Sequence, residues 1–158
     1  MRTLAVLLGA IVVSFATDAI LQHYLIPNFG PLLVRMHTTP PQNSQWAEIW
    51  RQWHHANLIS VFVLAPLGGA AGGIFVGLLQ THRAVLTAAI SQIPNMFIVL
   101  WFDRHGVWIH SVRGVASAVG QHLLPVMAAM LGAAVFQSLL KLRRRADSAT
   151  PASVASPA

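Results

Sequence analysis

The sequence predicts an all-α protein, a four-transmembrane-helix bundle with an amphipathic interfacial helix in its first outer loop. Three observations carry this. Of 158 residues, 55% are hydrophobic and only 9% are charged, against about 25% charged in soluble domains. Four stretches hold the roughly 20 apolar residues that a bilayer crossing takes at about 1.5 Å of rise per residue. Lipid offers no partner to backbone N–H and C=O groups, so such crossings fold as helices.

Segment one covers residues 3–26, opening TLAVLLGAIVVSFA and turning more polar at Asp18, Gln22 and His23. A second reading treats this stretch as a cleaved leader, with Arg2 as its basic start and Ser14-Phe15-Ala16 as the cleavage site. That would leave three crossings. The outer loop follows, with breaker signals at residues 27–31 and 38–41 around a short apolar piece, Leu32 to Met36. From Ser44, a candidate cap, residues Trp46, Ile49, Trp50 and Trp53 recur at helical spacing and share one face. Glu48, Arg51, Gln52 and His55 lie opposite, which is the pattern of an interfacial helix with a tryptophan belt. A lid over an outward-facing site is the alternative for this helix.

Segment two, 56–80, carries glycines at 68, 69, 72, 73 and 77. Their four-residue spacing lets neighbouring backbones approach closely. The same face offers a docking surface, Gly68, Gly69, Gly72, Gly73 and Gly77, for a second copy or a larger membrane complex. Pro66 is expected to kink the segment. Segment three, 84–102, follows after only Thr81 to Arg83, so the two form an antiparallel hairpin. Segment four, 117–142, ends in LysLeuArgArgArg. Residues 1–142 thus form the transmembrane domain, and 143–158 a basic stop followed by an Ala/Ser/Pro tail expected to be disordered.

Arg2, Arg83, Lys141, Arg143, Arg144 and Arg145 gather on one side of the membrane. Arg35, Arg51, Arg104 and Arg113 lie on the other, beside Glu48 and Asp103. The positive-inside rule then puts both termini in the cytoplasm, in a bacterial inner membrane. The net charge of +6 is explained by this topology, with no nucleic acid as partner. Cysteine is absent, which excludes disulfides, thiolate metal sites and catalytic thiols.

Ionisable groups at membrane depth are costly and point to function. Segment one places Ser14, Asp18 and Gln22 on one face. Segment three places Thr87, Ser91 and Asn95 on one face, with Gln92 beside it. Segment four supplies Gln121 and His122. Asp18, Asn95 and His122 fall in the same outer half, where they are expected to surround a polar cavity. Asp18 beside His122 would form an acid–base pair, with His122 as general base. Eight histidines also raise metal binding, with His23, His55 and Glu48 as candidate ligands. No motif supports a metal or haem, and the expected cofactor is none or unknown. Ordinary interhelical hydrogen bonding is the structural alternative for every one of these polar groups.

The Pro27-containing exit of segment one, IleProAsn at 93–95 and TrpIleHisSerValArg at 108–113 give the chain a family likeness. It resembles the small four-helix membrane proteins that include the anthrone oxygenases. The resemblance implies oxidation of a hydrophobic substrate without an obvious bound cofactor, and adds His110 and Arg113 to Asn95 as site residues. The spacing around Trp108 and His110 departs from the family pattern. Three functions follow: a membrane enzyme acting on a lipophilic small molecule by oxidation or proton abstraction, a non-catalytic subunit docking through the glycine face, and a small transporter. The cytoplasmic half of the bundle offers few polar residues beyond Thr87, which argues against the last.

Overall fold

The computed structural model describes residues 2–97 and 112–149, and among them every regular element is helical. Helix α1 (Arg2–Leu25) is followed by α2 (Phe29–Thr38) and α3 (Trp46–Ile59). A π-helical turn, Ser60–Leu64, joins α3 to α4 (Ala65–Leu79), and α5 (Ala84–Ile90) leads to a short helical stretch at 93–97. The last helix, α6, is Val112–Ala149.

Three helices are long and apolar enough to cross a membrane: Arg2–Leu25, the continuous Trp46–Leu79 and His122–Ser148 within α6. The helical span Ala84–Phe97 is apolar but shorter, and residues 98–102 of the expected third crossing lie outside the described residues. The surface is apolar in the way a lipid-facing surface is. Leu4, Leu8 and Val12 on α1 and Leu123, Met127, Leu131 and Val135 on α6 are all exposed. The interior is built from small residues instead: Ala10, Ala84, Ala88, Ala129 and Ala133 are buried with Val6 and Val76. Without a hydrophobic force between helices in lipid, close backbone packing supplies the cohesion.

Helix α4 is the centre of the bundle and packs against α1, α5 and α6. Its glycines form two stripes on two flanks. A Cβ on Gly68 would stand 2.9 Å from the Ser14 carbonyl oxygen, and one on Gly72 would run into the Ser14 hydroxyl. On the other flank, a Cβ on Gly69 or Gly73 would run into the backbone of Pro125 or Ala129. One on Gly77 would lie 3.0 Å from the Ala133 carbonyl oxygen. Gly132 of α6 reciprocates, 2.6 Å from the Ala70 carbonyl by the same construction. The glycine face is therefore occupied by α1 and α6 of this chain.

Several local expectations change. The piece around Leu32 to Met36 is a full ten-residue helix. Its breaker, Pro31, sits in the first turn, where a backbone N–H has no intrahelical partner to lose. Asn28 enters it with φ 69°. Helix α3 starts without a side-chain cap; Asn43 Oδ1 accepts from the Gln45 amide at 2.8 Å, in place of the expected Ser44. Pro66 is preceded by the π turn, closed by the Ala65 amide donating to the Ser60 carbonyl. The wider turn reorganises the hydrogen-bond ladder just where proline withdraws a donor. Helix α6 runs beyond the basic stop to Ala149, so residues 146–149 of the expected disordered tail are helical. Alanine, lysine and arginine all favour helix.

One end of the bundle is pinned by polar contacts. Gln137 Nε2 donates to the carbonyls of Gln80 (2.7 Å) and Thr81 (3.1 Å). Arg2 donates to the Leu79 carbonyl at 3.3 Å. The α4–α5 turn closes through Arg83, at φ 56°. The α1 start, the 80–83 turn and the last part of α6 thus share one end, as the distribution of basic residues requires.

Candidate functional site

Beside α4, on the α1 flank, the bundle holds a small polar pocket. It is lined by Ser14, Phe15, Asp18, Ala65, Gly68, Gly69, Ser91, Gln92 and Asn95. Three sequence features build it. Ser14 and Asp18 are one helical turn apart, so both face α4. The glycines at 68 and 72 let α1 approach until its backbone touches α4. The helical ladder is then interrupted at Ser91 and Gln92, which form a turn between α5 and 93–97. Pro94 has no N–H for the Ile90 carbonyl, so the backbone opens where the polar side chains cluster.

Gln92 is the hub. Only 1% exposed, it donates from Nε2 to Ser14 Oγ at 3.1 Å and to Ser91 Oγ at 3.2 Å. The Ser91 hydroxyl in turn donates to the Ala88 carbonyl at 2.7 Å. Both amide hydrogens of Gln92 and the Ser91 hydroxyl proton are consumed in this network. Asp18 Oδ1 is buried and accepts no hydrogen bond. Buried polar groups are normally satisfied, so this oxygen is the chemically unfinished atom of the site. The cavity measures about 10 Å³, a space for about one water.

The site contains Asp18 and Asn95 together, as the shared depth implied. It does not include His122 in its lining. Both ring nitrogens of His122 are buried without a hydrogen-bond partner, so the expected Asp18–His122 pair is not formed. The reason is α4. Asp18 packs beside Gly68 on one flank, while Pro125, one turn along α6 from His122, packs against Gly69 on the other. His110 and the side chain of Arg113 lie outside the described residues.

The candidate metal ligands do not assemble. Among the described residues, no three His, Asp or Glu side chains gather around a common point. Glu48 instead accepts from Arg51 (2.9 and 3.0 Å) and Gln52 (2.7 Å). These bonds, Arg51 first, hold its carboxyl below the usual glutamate range. His55 is exposed, and His23 stands edge-on to Tyr24 with ring centres 5.3 Å apart. On α3, Trp46 and Trp50 stack at 5.4 Å, and Trp53 tilts against Phe29 of α2.

A second, more open cleft of about 380 Å³ lies at the C-terminal end of α1. Gln22, His23, Ile26, Asn28 and Phe29 line it. Gln22 is one turn beyond Asp18, about 6 Å along the helix. Comparison with protein-family models, curated proteins and solved structures finds no match to this chain.

Proposed function

We propose that this protein is a small integral membrane enzyme that removes a proton from the polar end of a lipophilic molecule, with Asp18 as the base. The observation that carries this is the unpartnered Asp18 Oδ1, buried beside Asn95 and the Gln92 network inside an otherwise apolar bundle. An intramembrane carboxylate is costly, and its retention points to use. The Asn95 amide and the Ser14 hydroxyl are the donors left to hold the resulting anion. The cavity admits only the reacting group; the body of the substrate would lie in the wider cleft along Gln22 and His23. Oxidation, which the likeness to the anthrone oxygenase family implies, would be the reaction of that anion with dioxygen. His110 and Arg113 belong to this reading through that likeness alone, and His122 as a buried group whose ring nitrogens have no partner.

In this reading the chain crosses the bacterial inner membrane four times with both termini in the cytoplasm, and α3 lies at the outer surface. The docking alternative loses its surface, because α1 and α6 already cover the glycines.

The test compares membranes containing the wild-type protein with membranes containing Asp18→Asn at matched folded levels. Mass spectrometry of their lipid extracts should reveal a lipophilic compound consumed or formed only with Asp18. Identical extracts would refute the reading.

A further inference from the structure

We infer that the Asp18 pocket binds one small monovalent cation of the sodium class, which serves as the counter-charge of the carboxylate. The inference goes beyond the enzymatic reading and concerns the resting site: the ion occupies Asp18 Oδ1 and must leave before that atom takes up a substrate proton, and the inference stands on its own observations. The first is the oxygen set. Asp18 Oδ1 is buried without a partner. Ser14 Oγ and Ser91 Oγ each receive a Gln92 hydrogen and retain a lone pair, and Asn95 adds an amide oxygen to the same lining. Among the described residues, no cationic side chain forms an ion pair with Asp18, and the one ion pair is Arg51–Glu48 on α3.

The second observation is the backbone. The helix breaks at Ser91–Gln92, and Pro94 leaves the Ile90 carbonyl without its usual donor. Unwound backbone at a discontinuous membrane helix is a recurring source of ligands for sodium ions and protons near the bilayer midplane. Ser14 is close to the middle of α1, and Asp18 lies about 6 Å beyond it.

The third observation is size and charge. A space of about 10 Å³ is on the scale of one water or one bare small ion. A single carboxylate neutralises one positive charge. A divalent ion would leave a net charge buried among alanines and glycines, at a large desolvation cost.

The experiment is thermal unfolding of the full chain in detergent, in chloride salts of sodium, potassium, magnesium or choline at equal ionic strength. A ligand that binds only the folded state stabilises it by mass action. Sodium is expected to raise Tm by about 5 °C over choline at saturation, with potassium and magnesium giving less than half of that. Asp18→Asn should abolish the sodium response, and Asn95→Ala should raise the half-saturating sodium concentration about tenfold, roughly the loss of one charge-assisted contact. Should Asp18→Asn fail to fold, the wild type still decides. Protons compete for the same oxygen, so the half-saturating sodium should climb as pH is lowered, up to about tenfold per unit. Equal Tm in sodium and choline overturns the inference, as do a sodium response indifferent to pH and stronger stabilisation by potassium or magnesium. A sodium-stabilised protein whose lipid extracts match those of Asp18→Asn would keep the site and remove the enzyme. Turnover that needs Asp18 but ignores sodium would do the reverse.

Discussion

The two flanks of α4 are packed by the same device and put to different use. Toward α6, Gly69, Gly73 and Gly77 meet the backbone of Pro125, Ala129 and Ala133, and that seam is packed main chain against main chain. Toward α1, Gly68 and Gly72 meet Ser14 and Asp18, and the seam opens into a polar pocket. Close approach is thus not what makes a site. The α1 flank differs in facing side chains with hydroxyl and carboxyl groups, and in having a broken helix beside it to supply Ser91, Gln92 and Asn95. The α6 flank holds the bundle together, while the α1 flank holds the chemistry.

Alanine substitutions test this division. The largest effect is expected for Gly73→Ala, where the new methyl meets main-chain atoms of Ala129 that have no freedom to rotate away. The helices must separate, at a cost of about 3 kcal/mol, the upper part of the overpacking range. Unfolding titrations in mixed detergent would measure it. Gly72→Ala meets chiefly the Ser14 hydroxyl, a side-chain atom that rotates, with the Ala10 carbonyl 3.0 Å away. It should cost about 1 kcal/mol yet disturb the Gln92–Ser14 bond, so its loss at the site should exceed its loss of stability. Equal destabilisation by the two variants would erase the distinction between the flanks.

The smallest effect belongs outside both seams. Glu48 is paired with Arg51 on the exposed side of α3. Its lowered carboxyl pKa means that the pair favours the fold above the unfolded glutamate value, about 4.3, and loses that contribution as pH falls through the folded value. Full exposure to solvent makes the contribution minor. Glu48→Gln should leave Tm unchanged at neutral pH by differential scanning fluorimetry.

Much of the architecture was legible because apolar length is a direct consequence of bilayer thickness. Arg2–Leu25 falls within one residue of the expected first crossing. The meeting of Asp18 and Asn95 was legible too, because rise per residue converts sequence position into depth. Depth says nothing about direction around the bundle, which is why His122 does not pair with Asp18. Gln92 was visible beside the Ser91–Asn95 face, but its hub role needed the helix break to turn it inward. The α2 helix was hidden by Pro31 and Gly30, which read as breakers from composition and are harmless in a first turn.

The π turn at Ser60–Leu64 sets a phase. A π turn accommodates one extra residue, and one residue is about 100° of helical rotation. Two faces on what is otherwise a single continuous rod, the tryptophan face of α3 and the glycine stripes of α4, therefore have their angular offset fixed by that insertion. Shortening the chain by one residue there would restore a uniform helix and leave Trp46, Trp50 and Trp53 near their present direction relative to the seams, whereas straightening the turn with that residue kept would swing them away. The insertion acts as an angular gear between the part of the rod that reads the membrane surface and the part that assembles the bundle.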